Sequence, residues 1–138
     1  ICIYINNLSV NNLIMKLLLL FFLSDCLANA QVDVDDLVFK NNILYLKDSN
    51  DKFTGHVIGK AGGYVQNGLK EGKWTYYFSK SKIQKIINYK NGKKNGLEKE
   101  FYKNNNLKFV GKYIDGKRNG LHKSYFSNAQ VKLELNFI

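Results

Sequence analysis

The chain is 138 residues long and carries 21 basic and 11 acidic residues, a formal net charge of +10. It has no proline, nine tyrosines and nine phenylalanines, so it is too aromatic for a disordered tail and is of the right length for one modest domain. Both cysteines, Cys2 and Cys26, precede the cleavage site predicted below, which excludes disulfides, thiolate metal sites and cysteine nucleophiles from the mature chain.

The first part of the chain has the pattern of a secretory signal peptide over residues 15–30. A basic residue and the apolar run Leu17–Leu23 follow Met15, and Ala28-Asn29-Ala30 supplies an A-x-A cleavage site. The pattern predicts cleavage before Gln31. We therefore expect an exported protein that is periplasmic, held in the outer envelope or secreted.

Residues 1–14 precede the predicted start at Met15, and we interpret them as upstream sequence outside the native protein. The apolar run is well short of the roughly 20 residues that a membrane-spanning helix needs, so no transmembrane segment is predicted in the mature chain. A lipid anchor at Cys26 is disfavoured because Asp25 stands where a small neutral residue is usual.

Residues 31–51 are predicted to form an acidic N-terminal cap. They contain five aspartates and two lysines, whereas residues 52–138 contain 18 basic and five acidic residues, a net charge of +13. The cluster Asp33–Asp36 lacks the glycine and distal glutamate of an EF-hand loop, so it is interpreted as a solvated lead-in. Leu37–Phe39 and Ile43–Leu46 flank polar residues and predict a first β-hairpin.

A 24-residue period organises the rest of the chain, which is predicted to be one repeat domain over residues 52–138. A degenerate unit near 53–66 precedes three regular units near 67–90, 91–114 and 115–138. Asn-Gly and Asp-Gly favour tight returns because they reach positive φ cheaply, and a third recurring glycine predicts a bulge or a close backbone approach. The recurring residues are Asn67, Gly68, Gly72, Asn91, Gly92, Gly96, Asp115, Gly116 and Gly120.

Each unit predicts two short strands, so the fold class is all-β. In the first regular unit Trp74–Phe78 and Ile83–Tyr89 are rich in aromatic and β-branched residues. Lys90–Asn95 is predicted to be a longer link into the next unit, and Lys60–Gly63 is predicted to be a loop of the degenerate unit. The expected architecture is an elongated, twisted antiparallel sheet of tandem β-hairpins.

Alternation along the strands assigns the side chains to two faces, and aromatic columns recur on both. Most columns are interpreted as cross-strand ladders that stabilise a thin sheet. One column changes its chemistry from Trp74 to Glu98 to His122, which a ladder should not do. With the columns beside it, it forms the candidate binding surface: Trp74, Tyr76, Phe78, Glu98, Glu100, Tyr102, His122, Ser124 and Phe126.

Three stretches resemble the MORN-repeat variant family, which includes proteins labelled YwqK-type antitoxins. They are Gly-Lys-Trp-Thr-Tyr-Tyr-Phe at 72–78, Tyr-Lys-Asn-Gly-Lys-Lys-Asn-Gly-Leu at 89–97 and Tyr-Ile-Asp-Gly-Lys-Arg-Asn-Gly-Leu at 113–121. The resemblance covers roughly Phe53 to Ile138 and implies a protein-binding repeat sheet of antitoxin or immunity type. The chain departs from the family pattern in keeping tryptophan only at Trp74.

Candidate groups for catalysis are few, and no enzyme activity, cofactor or metal is predicted. His56 and His122 lie in different units without metal-ligand spacing. Glu98 and Glu100 lie two apart on one strand face, where paired carboxylates do acid–base work in some enzymes. The simpler interpretation is that they offset nearby lysines. Nucleophile-elbow, P-loop and dinucleotide motifs are missing from the sequence.

Two binding functions remain open. The first is an exported, non-enzymatic protein-binding module, which by resemblance is an antitoxin or immunity protein with a toxin as partner. The alternative is an envelope structural protein that its basic sheet holds on anionic lipid headgroups or glycans. Nucleic acid is disfavoured as a partner because Arg118 is the single arginine and export removes the protein from nucleic acid.

Overall fold

The computed structural model describes residues 31–138, so the predicted signal peptide and residues 1–14 lie outside the described part. A short 3-10 helix covers Val34–Asp36. The strands are β1 (Gln31–Asp33), β2 (Leu37–Lys40), β3 (Ile43–Leu46), β4 (Gly55–Ile58), β5 (Ala61–Gln66), β6 (Leu69–Ser79), β7 (Lys82–Lys90), β8 (Lys93–Phe101), β9 (Leu107–Ile114), β10 (Lys117–Tyr125) and β11 (Val131–Phe137).

Nine strands form one sheet in the order β1-β4-β5-β6-β7-β8-β9-β10-β11, and β2 and β3 form a separate hairpin. From β4 to β11 each strand pairs antiparallel with the next along the chain. The predicted all-β sheet of successive hairpins is therefore confirmed, as is the first hairpin at β2 and β3. Among the described strands β1 differs, because it pairs with β4 in parallel. The strands of the small sheet, β2 and β3, come between β1 and β4 in the sequence.

Two-residue turns join β5 to β6, β7 to β8 and β9 to β10. Both residues of Asn67-Gly68, Asn91-Gly92 and Asp115-Gly116 have φ between 49° and 83°, which is the type I′ geometry that matches strand twist. The predicted long link over Lys90–Asn95 is wrong, because this turn lets β8 begin at once after Gly92. The predicted loop over Lys60–Gly63 is also too long, since β5 begins at Ala61.

Each regular unit consists of an outgoing strand (β6, β8 or β10) and a returning strand (β7, β9 or β11). Gly72, Gly96 and Gly120 lie inside the outgoing strands with φ of 66°, 109° and 67°. The ladder register shifts beside each of them. A Cβ added at Gly72 or Gly120 would meet no atom within 4 Å. These two glycines therefore serve a β-bulge, which bends the strand, rather than a close approach.

The core lies on one face of the N-terminal half of the sheet. Leu44 of the small sheet packs there with five buried residues from the segment 52–138: Phe53, Val57, Ala61, Val65 and Trp74. The backbone N–H of Leu44 donates to the Gly68 carbonyl at 2.8 Å, which fastens the small sheet to a turn. The cluster and the side chains packed against it extend no further along the chain than Tyr89. We call this side of the sheet the core face and the other the outer face.

Candidate binding groove

Trp74, Glu98 and His122 occupy the same position in successive units and are almost fully buried, with 1%, 2% and 4% of their surface exposed. All three lie on the core face. The column that changes its chemistry therefore lies in the packed layer of the sheet. The residue type in this column changes from unit to unit because the facing residue on the neighbouring strand leaves a different amount of space.

Trp74 and His122 make equivalent hydrogen bonds. The Trp74 Nε1–H donates to the Tyr64 carbonyl at 3.0 Å, and His122 Nε2 lies 2.8 Å from the Lys112 carbonyl. Because a carbonyl only accepts, Nε2 of His122 carries the hydrogen. Its Nδ1 is buried and has no hydrogen-bond partner among the described residues. His122 therefore takes the place of a tryptophan in the third unit.

Each of the two rings lies over a glycine. A Cβ added to Gly63 would lie 2.5 Å from Trp74 Cδ2, and one added to Gly111 would overlap the His122 ring. In the middle unit the equivalent residue is Ile87, and it pairs with Glu98, which has no ring. Glycine thus makes room for a ring across the strand. Gly63 and Gly111 lie two periods apart, and this spacing is the sequence signal for the pairing of ring and glycine.

A cation precedes the bulge of each outgoing strand and lies over an aromatic ring of the returning strand. The pairs are Lys70 Nζ and Tyr89 at 5.3 Å, Lys94 Nζ and Tyr113 at 4.8 Å, and Arg118 Cζ and Phe137 at 5.2 Å. Such contacts contribute about 0.5–1 kcal/mol at exposed sites. These three cations keep the 24-residue step, but they are not among the site residues predicted from the sequence.

Lys70 lies in an aromatic box in the first unit. Its Nζ is 4.4 Å from the Trp74 ring centroid and donates to Tyr76 Oη at 2.9 Å, and Tyr76 Oη lies 3.4 Å from Tyr89 Oη. Burial lowers the pKa of Lys70. Burial, helped by the hydrogen bond to Tyr89, raises the pKa of Tyr76 well above its usual value of 10.0. The raised pKa of Tyr76 makes stability fall as pH rises above 10, whereas the lowered pKa of Lys70 acts in the opposite direction.

We expect Tyr76→Phe to flatten the loss of stability above pH 10. The unfolded chain loses the phenolic proton near 10.0 while the folded chain keeps it, so folding binds the extra proton and stability falls as pH rises. The slope difference approaches about 1.4 kcal/mol per pH unit. Urea unfolding between pH 8 and pH 11 measures it. Tyr77→Phe keeps Tyr76 and should keep the loss; equal slopes in wild type and Tyr76→Phe would contradict this explanation.

The two carboxylates of the predicted site, Glu98 and Glu100, form ion pairs with lysines. Glu98 accepts from Lys94 Nζ at 2.6 Å and lies 3.7 Å from Lys85 Nζ. Lys85 also contacts Glu100, whose other oxygen lies 3.7 Å from Lys108 Nζ. Burial alone would lower the pKa of Lys85, but the hydrogen bond and charge of Glu100 outweigh it and the pKa is raised. This geometry agrees with the interpretation that the carboxylates offset nearby lysines.

Each returning strand has a β-bulge at the same place, which leaves one residue without a ladder partner: Gln84, Lys108 or Lys132. Strict alternation would put Lys108 and Phe109 on opposite faces, but a bulge re-aims the side chain. The Lys108 Nζ accordingly lies within 6.0 Å of the Tyr102 ring centroid and close to Glu100 on the core face. The bulges therefore bring additional lysines to this face.

Over β7–β11 the core face forms an open groove of about 380 Å³. Its lining carries five cations and two carboxylates, a net charge of +3. Arg118 and Lys132 have no carboxylate within 4.0 Å in the described part of the chain. The lining residues are Lys85, Lys94, Glu98, Glu100, Tyr102, Lys108, Phe109, Tyr113, Arg118, Ser124, Tyr125 and Lys132.

The structure separates the nine predicted site residues. Four of them line the groove: Glu98, Glu100, Tyr102 and Ser124. Trp74 and Tyr76 belong to the N-terminal core or pack against it. Phe78 and Phe126 are exposed, and His122 is enclosed by the rings of Phe109, Tyr113 and Phe137 at centroid distances of 5.6, 5.2 and 4.8 Å. The groove thus brings together part of the predicted surface with cations that were not predicted to belong to it.

The fold defines a tandem β-hairpin repeat protein. Residues 70–91 and 94–115 match the family model described as MORN repeat variant. Such repeats are commonly protein- or membrane-binding modules. The resemblance to YwqK-type antitoxins stays a prediction.

No curated protein and no solved structure matches the chain significantly. In residues 31–138 no helix has the length and apolar character to cross a bilayer. The same residues contain no group of three or more His, Cys, Asp or Glu placed to hold a metal ion.

Proposed function

We propose that the chain is an exported, non-enzymatic protein-binding module that holds an acidic partner in the groove over β7–β11. The observation that carries this proposal is the pair Arg118 and Lys132, two groove cations that lack carboxylate partners in the described chain. Aromatic side chains and arginine are enriched at protein interfaces, and charge complementarity speeds encounter and suppresses wrong partners.

The resemblance to antitoxin-type repeat proteins supports a toxin as the partner, so that binding would neutralise it. The signal-peptide pattern of residues 15–30 supports export. An exported immunity protein would meet its toxin in the envelope or outside the cell. The carboxylates Glu98 and Glu100, each paired with lysines, support a binding role over acid–base chemistry.

The test measures binding of poly-L-glutamate by isothermal titration calorimetry. We expect Arg118→Glu combined with Lys132→Glu to weaken binding at least about tenfold, because two attractive charges become repulsive. The matched control is Lys73→Glu combined with Lys99→Glu, the same charge change at exposed sites on the outer face. If both double variants lose the same affinity, binding follows net charge and the groove is not the site.

A second candidate, attachment to an anionic envelope surface, rests on the outer face. Lys73, Lys99 and Lys112 are exposed there beside Leu97 and Leu121, a mixture that suits lipid headgroups. Sedimentation with phosphatidylglycerol vesicles at low and high salt separates the candidates. Loss of vesicle binding in the outer-face variant, with poly-L-glutamate binding intact, would assign the lipid to that face.

A further inference from the structure

The first unit shows how aromatic rings surround the cation that precedes the bulge. Lys70 Nζ lies 4.4, 5.3 and 5.3 Å from the ring centroids of Trp74, Tyr76 and Tyr89. The phenol of Tyr76 also accepts a hydrogen bond from Lys70 Nζ at 2.9 Å. A phenol ring beside the cation is therefore part of the packed arrangement that this repeat forms when all its positions are filled.

The third unit keeps the cation but lacks the phenol. Arg118 stands two periods after Lys70, and its Cζ lies 5.2 Å from the ring centroid of Phe137. It makes no further cation–π contact among residues 31–138. At the position of Tyr76 the third unit carries Ser124, which has no ring. The guanidinium therefore lacks the ring that Tyr76 supplies to the first unit.

The middle unit fills the same position with a charged group. Glu100 lies one period after Tyr76 and forms ion pairs with Lys85 and Lys108. The position thus holds a ring in the first unit, an ion-paired carboxylate in the second and a small hydroxyl side chain in the third. Of the three regular units, the third is the one in which this position leaves space for a ligand.

The space beside Ser124 belongs to the groove. Ser124 and Arg118 both line the groove, whose volume is about 380 Å³ and is comparable with the roughly 300–1,000 Å³ of typical ligand sites. Phe109 and Tyr113 add aromatic surface to the lining, and Lys132 adds a positive charge. No carboxylate of residues 31–138 lies within 4.0 Å of Arg118. This lining suits a ring that stacks on a guanidinium and has carboxylates next to it.

We propose that the groove binds the side chain of a tyrosine in an acidic segment of the protein partner, in the space beside Ser124. The ring would lie against Arg118, whose guanidinium would donate to its hydroxyl as Lys70 Nζ donates to Tyr76. The acidic neighbours of the tyrosine would meet Lys132. This inference rests on the proposed protein-binding function and names the side chain by which the partner is recognised.

The experiment measures the binding of three acidic peptides to the full 138-residue chain by isothermal titration calorimetry. The peptides are Glu-Glu-Tyr-Glu-Glu with blocked termini and the same peptide with leucine or alanine at its centre. We expect the tyrosine peptide to bind at least about fivefold more tightly than the alanine peptide and about threefold more tightly than the leucine peptide, because a guanidinium attracts the face of a ring. Equal affinities for the tyrosine and leucine peptides would overturn the inference.

Ser124→Tyr places the ring of the first unit in the third unit and should compete with the peptide for the same space. The preference for tyrosine over leucine should then fall to less than about 1.5-fold. Ser79→Tyr is the matched control, because Ser79 is exposed and does not line the groove, and it should keep the preference. A preference that both variants lose, or that both keep, contradicts the proposed position of the ring.

Arg118→Met provides a second test if Ser124→Tyr does not fold. It removes the cation and leaves the space open, so the tyrosine and leucine peptides should bind with about equal affinity. Lys117→Met removes the same charge at an exposed neighbouring residue and should keep the threefold preference, because it weakens both peptides alike. A tyrosine preference that survives Arg118→Met would show that this guanidinium does not hold the ring.

The two proposals fail separately. If poly-L-glutamate binding depends on Arg118 and Lys132 but the tyrosine and leucine peptides bind equally, the acidic groove partner stands and the tyrosine site does not. If Ser124→Tyr abolishes a tyrosine preference while poly-L-glutamate binding follows net charge alone, the tyrosine site stands and the acidic groove partner does not.

Discussion

Replacing Trp74 by alanine is expected to lower the free energy of unfolding by about 4 kcal/mol, the cost typical of truncating a buried tryptophan. Trp74 is one of the two largest fully buried side chains and joins the sheet to the cluster that includes Leu44 of the small sheet. The substitution leaves a cavity and removes the Trp74 donor from the Tyr64 carbonyl. Urea unfolding followed by far-ultraviolet circular dichroism gives the value.

The matched control for Trp74 is Phe78→Ala on the same strand. Phe78 is exposed, and surface truncations away from special features usually change stability by roughly 0.5 kcal/mol. A Trp74→Ala loss no larger than the control would show that the N-terminal core does not depend on this ring. We also expect Trp74→Ala to loosen the small sheet, which faster amide exchange at Leu44 would report.

Gly111→Ala is expected to cost about 3 kcal/mol, because the added methyl group overlaps the His122 ring in a packed layer. The backbone of Gly111 does not have the positive φ that favours glycine, so the cost is steric. The same change in a His122→Ala background should cost less than about 1 kcal/mol, which gives a coupling energy of about 2 kcal/mol.

Gly62→Ala is the control for this cycle, since a Cβ there would lie 3.5 Å from the Val57 carbonyl, an ordinary contact. It should cost less than about 1 kcal/mol. If Gly111→Ala costs the same with and without the His122 ring, the pairing of ring and glycine is not the reason for the glycine. Gly63→Ala against Trp74 offers the same comparison in the first unit.

The period and the turns were predictable because they rest on local preferences. Asn-Gly and Asp-Gly take positive φ at low cost wherever they occur, and a two-residue alternation marks a strand without knowledge of its neighbours. The link over Lys90–Asn95 was predicted too long because Lys93–Asn95 looks like loop sequence. In the sheet, the neighbouring strand β7 supplies the ladder that holds these residues in β8.

The groove was predictable only in part. Glu98, Glu100, Tyr102 and Ser124 follow from alternation, and they line it. Lys108 and Lys132 do not, because a β-bulge breaks the alternation and its position depends on the partner strand. Lys94 and Arg118 were not predictable for a different reason. Each lies over an aromatic ring of another strand, and the residues next to it in the sequence do not indicate that contact.

By itself the sequence determined that this protein is an all-β repeat with three regular units, tight turns and a basic repeat domain. These properties depend on residue types and their spacing. Only the tertiary structure decided which face is packed, because that choice depends on where the small sheet docks. It also revealed why Trp74, Glu98 and His122 differ, since the space for each side chain is set across the strand by Gly63, Ile87 and Gly111.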